Sequence, residues 1–287
     1  MTPAAAPPSW EVSRRQLERM AFRRRQDRRR MTVAAVSTVT LLVVLWFVIT
    51  SAPGWERVRE TYFDWDDAKA SFPGIARAFV VNIKAFLIAE VLILALALLV
   101  AVVRVVPAPW MAPFKLIATV YTDVFRGTPT LLVILLVGFG VPALDLQGAP
   151  SDVFWLGIIA LTLSYGAYVA EVIRAGILSV HPSQWASGRS LGMSYGTTLR
   201  YVVLPQALRR VTPPLLNDFV SLQKDTALLS VIGIVEALRQ AQIDSSRDFV
   251  FTPIVVAACF FIVATIPLAR FTDWLSLRAA RRQSGAL

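Results

Sequence analysis

One cysteine, Cys259, and one histidine, His181, are the only thiol and imidazole in the chain. A disulfide within the chain is therefore impossible, and a Cys/His metal cluster is excluded. No G-x-x-x-x-G-K-[ST] string occurs, so the chain brings no phosphate-cradling loop of its own. A nucleophile elbow is not expected either. Charge is scarce as well. Asp, Glu, Lys and Arg make up 17% of the residues, where a soluble domain carries roughly 25%. These absences argue against an enzyme and against a soluble protein.

What remains is apolar: 56% of 287 residues, with a mean hydropathy of +0.59. The expected fold class is an all-α polytopic membrane protein with six transmembrane helices. The first apolar run, 31–52, is too long for a signal-peptide core, and no small-residue cleavage site stands out beside it. Further runs lie at 78–103, 118–142, 153–175, about 210–235 and 250–270. Each meets the roughly 20 residues that a helix needs to cross hydrocarbon. The fifth is the most interrupted by polar residues. Barrel strands would alternate over about 10 residues, and these runs do not.

Lys and Arg number 29 against 19 Asp and Glu, a formal +10. The bases gather at the ends of the runs, and no folded basic domain remains once the runs are removed, so nucleic acid is not an expected partner. With six spans and the N-terminus inside, the inner segments hold the nine arginines of "RRQLERMAFRRRQDRRR", then Arg104, Lys115, Arg174, Arg189, Arg200, Arg209, Arg210, Arg270, Arg278, Arg281 and Arg282. The outer segments hold Arg57, Arg59, Lys69, Arg77, Arg239 and Arg247. This bias is positive-inside and puts both termini in the cytoplasm of a cell membrane. The expected organisation is a basic tail at 1–30, a first span at 31–52 and an extracytoplasmic linker at 53–77. A transmembrane domain follows at 78–270, and a cytoplasmic tail at 271–287. Trp55, Tyr62, Phe63 and Trp65 give the linker an interfacial belt.

The segment 177–208 is polar yet helical in pattern. Pro182 suits the first turn of a short helix running to about Leu191. Gly192 is placed for a left-handed cap, and Ser194 can cap a second helix. In that helix Tyr195, Leu199, Val202 and Val203 share an apolar face, and Pro205 is expected to end or kink it. The two readings are a loop lying on the membrane and a docking element for another protein.

Gly192 followed by "VVLP" (Val202, Leu204, Pro205) resembles the EAA loop of ABC importer permeases. The wider string "YVAEVIRAGILSVHPSQWASGRSLGMSYGTTLRYVVLPQALRRVTPPLLNDFVSLQKDTALLSVIG" is similar to permeases of the polar amino-acid uptake subfamily. So are "YTDVFRGTPTLLVILL" at 121–136 and "EALRQAQ" at 236–242. The resemblance covers roughly residues 74 to 282, with a five-helix core and one extra N-terminal helix. It implies a subunit that binds no cofactor itself, since ATP sits on a separate ATPase. It further implies a second permease, identical or paralogous, an extracytoplasmic substrate-binding protein, and membrane lipid around the chain. The residues implied to dock the ATPase are Gln184, Trp185, Ala186, Gly188, Leu191, Gly192, Met193, Ser194, Leu199 and Pro205. Trp185, Leu191 and Met193 are the expected apolar anchors. One departure stands out. Ala186, Ser187 and Gly188 occupy the Glu-Ala-Ala positions, and Gly188 in a helix costs about 1 kcal/mol relative to Ala.

Polar residues inside the runs mark a candidate translocation path: Asn217, Asp218, Ser221, Lys224 and Asp225. Charge at mid-membrane costs about 2.5–3.5 kcal/mol and should face protein or water. The other reading is a packing pair of Lys224 with Asp218 or Asp225. Pro213-Pro214 is expected to break this span near its start. Glu90 should find an inward partner. Asp123 with Arg126, and Glu171 with Arg174, are expected as local ion pairs. His181 is expected at the surface. Two other functions remain open: an ion-coupled secondary transporter or channel using Asp218, Lys224 and Asp225, and an ABC permease for another small solute.

Overall fold

The structure is a computed structural model and describes residues 14–145, 147–148 and 152–284. Every regular element among them is helical. The expected start of the basic tail and the last residues of the C-terminal tail lie outside the described residues. The chain divides into two units, Met1–Arg59 and Glu60–Leu287.

In the first unit, α1 (Arg14–Thr50) runs without a Pro or Gly. Its apolar portion, residues 26–50, is long and apolar enough to cross a membrane. The Trp46 and Trp55 rings meet edge to face at 6.5 Å. Helix α2 (Trp55–Tyr62) leads into the second unit.

There α3 (Trp65–Val105) starts thirteen residues before the apolar run at 78. Its start is set locally: the Asp64 carboxylate accepts the N–H groups of Asp66 and Asp67 at 2.8 and 3.0 Å. At 1.5 Å per residue α3 is about 60 Å long, about twice the thickness of the ~30 Å hydrocarbon layer. Helix α6 (Val153–Leu178) is the most enclosed element, and α3, α4, α5 and α9 pack around it. Gly157, Ala160, Ser164, Gly166, Ala167, Ala170 and Gly176 lie buried along it. Such small residues let neighbouring helices approach closely where lipid offers no hydrophobic drive to association.

The run 118–142 is not one straight span. Helices α4 (Ala112–Gly127) and α5 (Thr130–Ala143) meet at 109°. Thr128 precedes Pro129 and adopts φ −106°, ψ 128°, the extended conformation that a following proline imposes. Prolines elsewhere act more gently than the sequence leads one to expect. Helix α9 (Leu204–Asp225) runs through Pro213-Pro214 without interruption. Pro205 does not end the preceding helix either. After α7 (Pro182–Ser190) and α8 (Tyr195–Thr198), residues 199–203 form a π-helical turn, in which Leu204 N–H reaches the Leu199 carbonyl. The wider turn re-routes the ladder, so that Pro205, which has no N–H, falls in the first turn of α9.

Beyond α9 a 3₁₀ segment (Thr226–Ile232) ends at Gly233 in the left-handed region (φ 90°). The chain then bends by 51° into α10 (Ala237–Asp248) and finishes with α11 (Thr252–Ser284). Among the described residues four helices are long and apolar enough to cross a membrane, or up to six if each bent pair counts as one span.

Candidate functional site

The polar segment between α6 and α9 is folded and clamped. Pro182 opens α7, and His181, which is exposed, accepts the Ser183 N–H at Nδ1 (3.2 Å). Gly192 takes φ 76°, which turns the chain between the two short helices. The Ser194 hydroxyl then accepts the Thr197 N–H at 3.2 Å. Gly188 is buried against α8, and a Cβ there would lie 2.6 Å from Thr198 Cγ2. The glycine that looked costly for helix formation is therefore what allows α7 and α8 to touch.

The individual positions separate into two sets. Trp185 is half-buried and its ring stacks on Tyr195 at 4.8 Å and 21°. Tyr195 Oη donates to the Val105 carbonyl at the end of α3 (3.2 Å). Gln184 Oε1 accepts from Gln206 Nε2 on α9 (3.2 Å), and the Arg210 guanidinium donates to the Ser179 carbonyl. Leu199 is buried, Met193 is half-buried, and the Met193 N–H donates to the Gly188 carbonyl at 3.1 Å. Facing outward are Ala186, Ser187, Gly192, Ser194 and Pro205, and above all Leu191, 81% exposed. Residues 188–192 read Gly-Arg-Ser-Leu-Gly, the letters of a nucleophile elbow. The elbow is not built: Ser190 closes a helix and its hydroxyl donates to the Ala186 carbonyl at 2.9 Å, with no strand before it.

The polar residues of the spans form a second constellation. Asp218, Ser221 and Asp225 are half-buried on α9, while Asn217 and Lys224 are exposed. Tyr165 Oη on α6 donates to Asp225 Oδ2 at 2.7 Å. Phe86 packs on Phe219 at 4.6 Å, which holds α3 against α9. Half-buried Glu90 lies within electrostatic reach of Asp218, so its neighbour has like charge rather than opposite. Among the described residues no ion pair includes Lys224, so the expected packing pair with Asp218 or Asp225 is not formed. Nor is the pair of Asp123 with Arg126. Both side chains are exposed, where such a pair contributes little. Tyr168 instead donates to the Arg126 carbonyl at 3.0 Å.

Two clusters escaped the sequence reading. Glu171 does pair with Arg174, through two bonds of 3.0 and 2.5 Å, but it also takes Arg104 of α3 at 2.7 Å. Arg104 ends an apolar run and Glu171 sits 67 residues later, so only the fold could join them. At the other end, fully buried Glu236 caps α10 by accepting the N–H groups of Leu238 and Arg239 at 3.0 and 2.8 Å. Asn82 of α3 donates to Glu236 (2.9 Å) and Thr226 (3.2 Å) and accepts the Ala237 N–H (3.1 Å). A polar Asn inside an apolar run was the available signal for this knot. No group of His, Cys, Asp and Glu able to hold a metal occurs among the described residues.

Comparison with known proteins finds transport permeases similar to this chain. The family described as "Binding-protein-dependent transport system inner membrane component" matches residues 94–281. The arginine transport system permease protein ArtQ of Bacillus subtilis is 31% identical over 71% of this chain and 92% of its own. The probable glutamine ABC transporter permease protein GlnM of the same organism is 36% identical over 67% and 88%. A crystal structure of an amino acid ABC transporter with histidines aligns at a TM-score of 0.67 and 32% identity, over 75% of this chain and 98% of that one.

Proposed function

The chain belongs to the binding-protein-dependent transport system inner membrane components, the permease subunits of ABC importers, and we propose that its solute is a polar amino acid. A separate ATPase drives the movement, a second permease completes the pathway, and an extracytoplasmic binding protein delivers the solute. The four continuous spans and two bent pairs make six crossings of the cytoplasmic membrane, with both termini inside.

The observation that carries the reading is the clamped helix–Gly192–helix element. It is tied to α3 through Tyr195 and to α9 through Gln206, and it presents Leu191 outward. An ATPase cleft that grips Leu191, with Ala186, Gly192, Met193 and Ser194 around it, would move α3 and α9 as one lever. Trp185 and Leu199 hold the lever together from behind. Asn217, Asp218, Ser221, Lys224 and Asp225 line the path. Their groups of both signs on neighbouring helix faces suit a zwitterion.

In proteoliposomes containing the ATPase, Leu191→Asp is expected to lower ATP-driven uptake by about tenfold or more, the effect of losing a central apolar anchor. Uptake that persists without any ATPase would overturn the proposal and point to an ion-coupled carrier. Ala186→Glu restores the carboxylate of the EAA loop at an exposed position, so it should alter coupling without disturbing the fold.

A further inference from the structure

A cleft of about 660 Å³ lies between the start of α3 and the first three turns of α11. Tyr62, Trp65 and Phe72 line one side, and Val256, Cys259 and Phe260 line the other. The cleft is built rather than incidental. At its head the Phe251 N–H donates to the Thr61 carbonyl (2.7 Å), the Asp64 N–H donates to Thr252 Oγ1 (3.2 Å), and Tyr62 stacks on Phe251 at 5.2 Å. Phe72 meets Phe260 at 5.1 Å within it.

Both walls belong to helices long and apolar enough to cross a membrane. From Thr252 to Val263 the α11 wall rises about 16 Å, about half of the ~30 Å hydrocarbon layer. The slot between Phe72 and Phe260 is apolar and favours an acyl chain over water. The head of the cleft is polar. Lys69 Nζ lies 3.8 Å from Asp66 Oδ1, with both side chains largely exposed, and 5.2 Å over the Trp65 ring. The Asp64 carboxylate is occupied in capping α3. A positive and a negative group side by side at one end of an apolar slot complement a zwitterionic head group. Asp64 and Asp66 outnumber Lys69 at this end of the cleft, so a head group of net negative charge is disfavoured.

We infer that the α3–α11 cleft is a binding site for one zwitterionic glycerophospholipid, with an acyl chain along Phe72 and Phe260, its phosphate at Lys69 and its ammonium at Asp66. This inference needs α3 and α11 to lie in the bilayer and is independent of which solute is carried.

Cys259 is exposed, lines the cleft and is the sole cysteine of the chain, so it is a built-in reporter. The full chain, delipidated in detergent, would be treated with a water-soluble maleimide, and labelling read from the Cys259 peptide by mass spectrometry. Added phosphatidylethanolamine should slow labelling about fivefold or more, and phosphatidylglycerol no more than about twofold. Asp66→Asn with Lys69→Ala, both on the exposed rim, should abolish the difference between the two lipids. Equal protection by both lipids in the unsubstituted chain would overturn the site in favour of unselective lipid contact. No protection by either would overturn it outright. Protection that grows with protein concentration in the absence of lipid would instead assign the cleft to a second copy of the chain.

Discussion

Gly188→Ala sets two physical effects against each other within one methyl group. Helix propensity favours alanine by about 1 kcal/mol. Packing opposes it, because the new Cβ would lie 2.6 Å from Thr198 Cγ2 and 2.9 Å from Thr198 Oγ1, where ordinary contact begins at 3.4 Å. Helices α7 and α8 would have to part by about 1 Å, an overpacking that costs about 1–3 kcal/mol. The net is a loss of up to about 2 kcal/mol, borne by the contact that makes the element rigid. Spans elsewhere should be untouched, so the assay is the number of solute molecules taken up per ATP hydrolysed in proteoliposomes. We expect a drop of about tenfold at a net loss near 1.4 kcal/mol. Thr198→Ser removes the Cγ2 methyl but keeps the hydroxyl, which donates to the Ser194 carbonyl at 3.0 Å. It should recover part of the coupling in the double variant, because the closest contact is removed while Oγ1 still crowds the new Cβ. Unchanged or improved coupling in Gly188→Ala alone, or no rescue by Thr198→Ser, would refute the argument.

Tyr195→Phe keeps the ring on Trp185 but deletes the bond to the Val105 carbonyl, worth about 1 kcal/mol. ATP hydrolysis should continue while uptake per ATP falls about fivefold. Glu171→Ala strands two arginines, whereas Arg104→Ala leaves the Glu171–Arg174 fork intact. The first should lower the thermal unfolding midpoint more than the second, by a difference of about 1–2 kcal/mol. Asn82→Leu leaves buried Glu236 short of a donor and the Ala237 N–H without its acceptor. It should destabilise by about 1–3 kcal/mol, seen as faster hydrogen exchange at the start of α10.

Much of the helix–Gly192–helix element was legible in the sequence. Pro182, Gly192 and Ser194 act through their own backbone geometry, and the helix start, the left-handed turn and the second cap all stand where those residues placed them. The same local logic misled at Pro205 and Pro213-Pro214. A proline removes one N–H, but neighbours and a π turn can re-satisfy the freed carbonyls, so a helix inside a bundle survives what would break an isolated one. It also understated Thr128-Pro129, where a run apolar enough for one straight span bends by 109°. Hydropathy measures whether a segment enters lipid, not whether it enters straight.

The sequence by itself determined that the chain is helical and membrane-spanning, because hydropathy, charge placement and short-range caps depend only on neighbours along the chain. Tertiary structure alone decided that Trp185 turns inward while Leu191 turns out, that Glu171 serves two helices, and that Asn82 ties α3 to Glu236. Those choices rest on pairs as many as 154 residues apart. Their energy comes from contacts that exist only once the helices have packed, and periodicity along a single helix cannot encode which neighbour it will meet.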